Sequence, residues 1–175
     1  YREDDQPKPV SVYQKSKAEA ETILSNFTID HPASLANWYV ARASSLFGQG
    51  RSTLVDQFRE AIEQGEELIV VEDQWRSPTW TRDFAESLES VVINRQPSGI
   101  YHIANEVAPG EARAMDIAEE IRKHLAIPND EVRMKLVKRR DFFKTPRAPS
   151  NVLLNTKLPK LRPWREALAA YLAET

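Results

Sequence analysis

Cysteine is absent from the 175 residues, which excludes a disulfide framework, a thiolate metal site and thiol catalysis. Metal chemistry would have to rest on carboxylates and three histidines. His31 and His124 are too far apart in sequence to suggest a site, and His102 sits inside an apolar segment and reads as a packed core residue, so no metal is expected. Glycine is scarce, at five residues, although loops that cradle phosphate use glycine to bring the backbone close to the ligand. No run approaches the ~20 apolar residues of a membrane-spanning helix, and no basic stretch followed by an apolar one opens the chain. The expectation is a cytoplasmic protein with no membrane partner. A surplus of positive charge is missing too: 24 Lys+Arg against 26 Asp+Glu leave a formal charge of −2, which gives no support to a nucleic-acid partner. The one basic concentration, Lys135, Lys138, Arg139, Arg140 and Lys144, reads as a solvated face or a local anion contact.

What is present is ordinary for one globular core: 41% hydrophobic and 29% charged residues. Tyr1 to Pro9 is polar and reads as an extended lead-in. Ser11 to Leu24 holds strong helix formers with Ser11 as N-cap, a helix expected to end before Asn26. Ala33 to Leu46 reads as a buried strand that runs out into a polar loop, followed by a Gly48-Gln49-Gly50 turn. Leu54, Val55, Phe58 and Ile62 then repeat at helical spacing until Gly65. Leu68 to Val71 is a strand, Glu72 to Thr79 a polar loop, Arg82 to Val92 a helix and Gly99 to Ala104 a strand. A helix over Ala114 to Leu125 and a half-buried strand over Val132 to Val137 follow. Pro163 opens a last helix whose stripe is Trp164, Ala167, Leu168, Tyr171 and Leu172. Alternating strands and helices predict an α/β fold with a largely parallel sheet, as a single unit over residues 1–175.

Tyr13 and Lys17, within Val-Tyr-Gln-Lys-Ser-Lys-Ala-Glu, stand four apart and so share one face of the helix. An ammonium next to a phenol stabilises the phenolate by Coulomb attraction. Such a tyrosine can give a proton to a carbonyl oxygen as hydride arrives, or take one from an alcohol. The plainer alternative is a surface tyrosine packed on a lysine stem. Glu19 and Glu21 beside Lys15 and Lys17 read as helix-surface charge pairs. Trp38, Trp75, Trp80 and Trp164 read as packing, since no basic groove interleaves them.

The ordered blocks Tyr1 to Lys17, Arg42-Ala-Ser-Ser-Leu-Phe-Gly48, Val70-Val-Glu-Asp-Gln-Trp-Arg-Ser-Pro-Thr79 with Arg82-Asp-Phe-Ala85, and Gly99-Ile-Tyr-His-Ile-Ala104 cover nearly the whole chain. Together they resemble the extended short-chain dehydrogenases, and most of all the dTDP-4-dehydrorhamnose reductase branch. The resemblance implies that Tyr13 is the acid/base and that Lys17 holds the cofactor's ribose hydroxyls and tunes the tyrosine. It places Arg42 and Ser44 beside the nicotinamide, and makes Ser45, Gln74 and Arg76 contacts for a nucleotide-sugar substrate. Three positions depart from the branch: Gln14 replaces a usual glycine, Ser45 an expected tryptophan, and Arg76 a frequent glycine.

The family's Gly-x-x-Gly-x-x-Gly turn, which seats a pyrophosphate on a helix N-terminus, is not in this sequence. By resemblance the chain is therefore the C-terminal part of a Rossmann-type reductase, with the N-terminal nucleotide-binding half missing. Residues 1–50 would carry the catalytic helix and the following strand, and 51–175 mostly the substrate lobe with one returning strand near 99–104. The implied cofactor is NADPH or NADH, not held tightly by this chain alone. The expected partners are a nucleotide sugar, and a second copy or a chain that supplies the missing half. Two alternatives stay open: a non-catalytic binding or regulatory module of the same fold, and a nucleotide-sugar epimerase, for which Arg76 speaks.

Overall fold

The protein, seen in a computed structural model, is described over residues 1–30 and 37–175. Helix α1 (Val12–Asp30) opens on a reciprocal cap. Ser11 Oγ accepts the Gln14 amide at 3.3 Å, and Gln14 Oε1 accepts the Val10 amide at 2.8 Å. The helix runs past Asn26, because no glycine or proline interrupts the sequence between Pro9 and Pro32 and one asparagine costs little. The apolar residues Ala33 and Leu35 fall outside the described residues.

Strands β1 (Tyr39–Arg42), β2 (Leu46–Phe47), β3 (Leu68–Val71), β4 (Trp75–Arg76), β5 (Thr79–Trp80), β6 (Gly99–His102), β7 (Met134–Val137) and β8 (Ser150–Asn151) are all short. Among the described residues they form four parallel pairs, β1 with β6, β2 with β5, β3 with β7 and β4 with β8. Parallel pairing is as expected, but one continuous sheet is not what forms. The β1–β6 pair aligns Arg42 with His102. Pairs of two to four residues leave the outer edge of β1 without a strand partner among the described residues.

Helices α2 (Leu54–Glu63), α3 (Thr81–Ile93), α4 (Ala114–His124), the short α5 (Arg139–Phe142) and α6 (Trp164–Ala173) complete the chain. The core lies among α2, α4, α6 and the strand residues Phe47, Val70 and Trp80. The α6 stripe, Trp164, Ala167, Leu168, Tyr171 and Leu172, is buried as its spacing dictates. Helix α2 is locked to it by one carboxylate. Asp56 accepts the Thr53 amide and hydroxyl at 2.8 and 2.7 Å, and the Tyr171 hydroxyl at 2.6 Å. Burial and that bond push the Tyr171 phenol up to about 12.

Residues 72–79 are a correction. The stretch reads as a polar loop, yet Gln74, Ser77 and Thr79 are buried, as is Trp80 just after them. Their polar atoms find partners: Ser77 N donates to Ser44 Oγ, Thr79 Oγ1 to Ser77 O, and Trp80 N to Asn105 Oδ1. The lead-in segment also turns inward. Glu3 is buried, accepting from Thr156 Oγ1 at 2.7 Å, Thr156 N at 3.1 Å and His102 N at 3.3 Å. Burial alone would raise its pKa, but the Thr156 and His102 hydrogen bonds outweigh it and hold the carboxyl below its usual value.

Two predictions follow from this packing. Gly48, between β2 and α2, has no room for a side chain, since a Cβ there would lie 2.0 Å from Thr81 Oγ1. Gly48→Ala should lower unfolding stability by about 1–3 kcal/mol in chemical denaturation, with part recovered when Thr81→Ala is added. Second, His102 is fully buried, and burial depresses its pKa below 6.5. The unfolded chain then binds the proton more readily, so this stability is present above 6.5 and is lost as pH falls toward the folded value. Melting temperature should drop between about pH 7.5 and about pH 5.5, before Glu3 begins to titrate, and His102→Gln should flatten the drop.

Candidate functional site

Spacing brings Tyr13, Lys17 and Glu21 one above another along α1, at four-residue intervals. All three line a cleft of about 770 Å³ whose other walls are Arg42 to Leu46 and the C-terminal loop residues Arg147, Asn151 and Leu153. A smaller hollow of about 200 Å³ continues along the N-terminal segment and adds Asp5 and Lys8. The Tyr13 side chain is open to the cleft, with the residue 65% exposed. The Lys17 ammonium stands 5.6 Å from the Tyr13 ring centroid, within cation–π reach. Among the described residues, no carboxylate lies within ion-pair distance of that ammonium.

The expected pairing of Glu21 with helix lysines is not what forms. Glu21 instead takes the fork of Arg42, with Nε to Oε1 at 2.9 Å and the terminal nitrogen to Oε2 at 2.5 Å. A planar guanidinium matches a carboxylate at two points, which one exposed lysine cannot do. The third Arg42 nitrogen lies 3.3 Å from His102 Nε2, and His102 Nδ1 lies 3.1 Å from the Leu154 carbonyl oxygen. A carbonyl only accepts, so the proton belongs on Nδ1 and the bare Nε2 accepts from Arg42.

Of the other predicted residues, Ser44 and Ser45 line the cleft with Arg42. Ser44 is buried and its hydroxyl accepts the Ser77 amide, while Ser45 is exposed, adopts a left-handed backbone with φ 44°, and gives its carbonyl to the Thr79 amide. Gln74 and Arg76 are not among the residues lining the cleft. Gln74 Nε2 donates to Ala148 O at 3.2 Å, and Gln74 Oε1 accepts from Arg76 at 2.8 Å. Arg76 Nε is buried with no hydrogen-bond partner among the described residues, and burial draws this guanidinium below its usual pKa. Sequence reasoning missed Glu21, Lys8, Arg147, Asn151 and Leu153 as cleft residues. Glu21 was within reach, as the next step in the series 13, 17, 21. The loop residues carry no local pattern that marks them. No group of histidines and carboxylates able to hold a metal occurs among the described residues, and no described helix is long and apolar enough to cross a membrane.

Comparison with known proteins gives the family. The model of the RmlD substrate binding domain matches residues 1–175. The spore coat polysaccharide biosynthesis protein SpsK of Bacillus subtilis is 34% identical over 179 residues, covering 99% of this chain and 58% of that protein. A dTDP-4-dehydrorhamnose reductase from Bacillus anthracis, solved in complex with NADP, superposes with a TM-score of 0.84 at 21% identity, over 100% of this chain and 59% of that one. The Clostridium acetobutylicum counterpart gives 0.82 at 26% identity, over 99% and 59%. The chain thus spans somewhat under three fifths of the length of these relatives. By its full-length match, this chain belongs to the RmlD substrate-binding domain family, in the dTDP-4-dehydrorhamnose reductase branch of the extended short-chain dehydrogenases.

Proposed function

We propose that these residues form the proton-donating, substrate-facing part of an NAD(P)-dependent reductase acting on a dTDP-linked keto sugar. In this reading the pyrophosphate-binding turn is supplied by polypeptide outside the 175 residues. The observation that carries it is the pair Tyr13 and Lys17, one turn apart on the wall of the cleft, with the phenol exposed and the ammonium unpaired among the described residues.

The donor set fits one end of a dinucleotide. An ammonium offers three N–H donors to a ribose diol, and the phenol beside it can face a nicotinamide. The other end has no counterpart, since no glycine lines the cleft among the described residues. The dinucleotide, when bound, supplies hydride to the carbonyl carbon. Tyr13 then gives its phenolic proton to the carbonyl oxygen as negative charge develops there. Lys17 stabilises the phenolate that remains and holds the ribose hydroxyls. Lys8 in the smaller hollow and Arg147 on the cleft wall add positive charge, and an arginine fork suits a diphosphate. Ser45 faces the sugar from the cleft lip. Gln74 and Arg76 do not line the cleft, and their assignment to the nucleotide sugar rests on the family resemblance alone. The outer edge of β1 is where the supplied half, or a second copy, would pair.

The test is NADPH oxidation with dTDP-4-dehydrorhamnose. The 175-residue chain alone should give no turnover, and joining it to the dinucleotide-binding half of a relative should restore it. In that active form Tyr13→Phe should lower kcat by about 10²–10⁴-fold. Turnover by the isolated chain would overturn the division of labour, and an unimpaired Tyr13→Phe would overturn the chemistry. A separate titration of dTDP into the chain should show about tenfold weaker binding for Arg147→Ser, the loss of one charge-assisted contact.

A further inference from the structure

The side chains along the cleft wall of α1 set up a competition. Lys17 has Tyr13 four residues before it and Glu21 four residues after it, both on its own face. A carboxylate at that spacing is the nearest natural partner for an ammonium, and taking it would draw Lys17 away from the phenol. In the structure the ammonium instead lies over Tyr13, and Glu21 is fully engaged at both oxygens by Arg42.

We propose that Arg42 is a positioning residue that acts through Glu21: its two-pronged ion pair, backed by His102, keeps the carboxylate off Lys17 and leaves that ammonium to Tyr13 and the ligand. The inference rests on the reading of Tyr13 and Lys17 given above. Three features of the geometry support it. Arg42 ends β1 in register with His102 of β6, so its guanidinium is anchored on the strand pair and not on the helix it grips. His102 accepts from Arg42 only while Nε2 is bare, and the Leu154 carbonyl fixes that tautomer. Glu3, which accepts from the His102 amide, is otherwise occupied by Thr156 and so does not compete for Arg42. All three Arg42 nitrogens are thereby committed, and the role assigned to Arg42 is one of arrangement without direct contact to the reacting atoms.

The test reads Lys17 directly, on the 175-residue chain. Acetylation by an N-hydroxysuccinimide ester is followed by peptide mass spectrometry, with Lys15 on the same helix as internal reference. Arg42→Gln releases Glu21, and Lys17 should react about twofold more slowly relative to Lys15, as expected for a helix ion pair of this spacing. Glu21→Gln and the double variant Arg42→Gln/Glu21→Gln should both react like the parent chain. A purely structural ion pair is broken equally by either single substitution, so equal effects of Arg42→Gln and Glu21→Gln would overturn the proposal. Circular dichroism checks that each variant is folded. If Arg42→Gln is not, Arg42→Lys, which keeps charge but loses the fork, takes its place in the same comparison.

In the turnover-competent form, Arg42→Gln should lower kcat by about twofold, in step with the share of Lys17 drawn to Glu21, and adding Glu21→Gln should restore it. The labelling needs no turnover. A labelling pattern as expected, without any dependence of turnover on Tyr13, would therefore sink the reductase reading alone. Turnover that depends on Tyr13, with Lys17 labelling indifferent to Arg42, would sink the positioning role alone.

Discussion

The ion pair from Arg42 to Glu21 is the constraint on which the site depends, because it joins the helix that carries Tyr13 and Lys17 to the strand that floors the cleft. Helix α1 has little apolar surface to hold it in place, with Val12, Tyr13 and Ile23 exposed. An exposed pair contributes about 0–1 kcal/mol, and removing one partner of a buried pair costs about 3–5 kcal/mol. With each side chain here about one fifth exposed, the Arg42 pair falls between those limits. Its geometry matters more than its energy. A two-point contact fixes both the height and the rotation of the helix, and the neighbouring turn then presents Lys17 to the cleft.

That strand is in turn tied to residues 77–80 and the core behind them. The segment after β1 leans on residues 77–79 through the bonds from the Ser77 amide to Ser44 Oγ and from the Thr79 amide to the Ser45 carbonyl. Trp80 follows at once, its amide held by Asn105, whose side-chain amide donates to Asp83 at 2.7 Å. Asp83 also receives the Arg162 fork at 2.9 and 2.6 Å, and Arg162 stacks on Trp80 at 4.9 Å. Burial would raise the Asp83 pKa, but Arg162 and Asn105 hold it below its usual value. A satisfied buried network of this kind gives a rigid junction. It passes directly into the apolar core of α2, α4 and α6, so the cleft wall is positioned by the best-packed part of the molecule.

What the sequence made legible was whatever repeats locally. The α2, α4 and α6 stripes follow from 3.6-residue periodicity, the α1 cap from Ser11, and the shared face of Tyr13 and Lys17 from their spacing. What stayed hidden depends on partners far along the chain. Glu3 is one more polar residue of the lead-in until Thr156 and His102, 153 and 99 residues away, supply donors. Glu21 reads as a helix-surface charge until Arg42, 21 residues on, takes it. Residues 74–79 look like a surface loop because their polarity is visible in the sequence and their hydrogen-bond partners are not. The series of family-like blocks did place the chain in its branch, since their order carries information that no single block holds.

The cleft is built from two kinds of material, regular backbone and loop. Tyr13 and Lys17 stand on a helix of 19 residues braced against a strand pair, where a side chain is held by regular backbone on both sides. The rest of the lining includes the N-terminal segment around Lys8 and the loop from Arg147 to Leu153, around only the two-residue strand β8. Proton transfer needs reacting atoms placed to within a fraction of an ångström, whereas ligand choice tolerates adjustment and is readily altered in loops. The departures from the branch pattern fall on both kinds of material: Gln14 lies on α1 beside Tyr13 and lines the cleft, Ser45 lines it from the segment after β1, and Arg76 lies in β4 outside the lining.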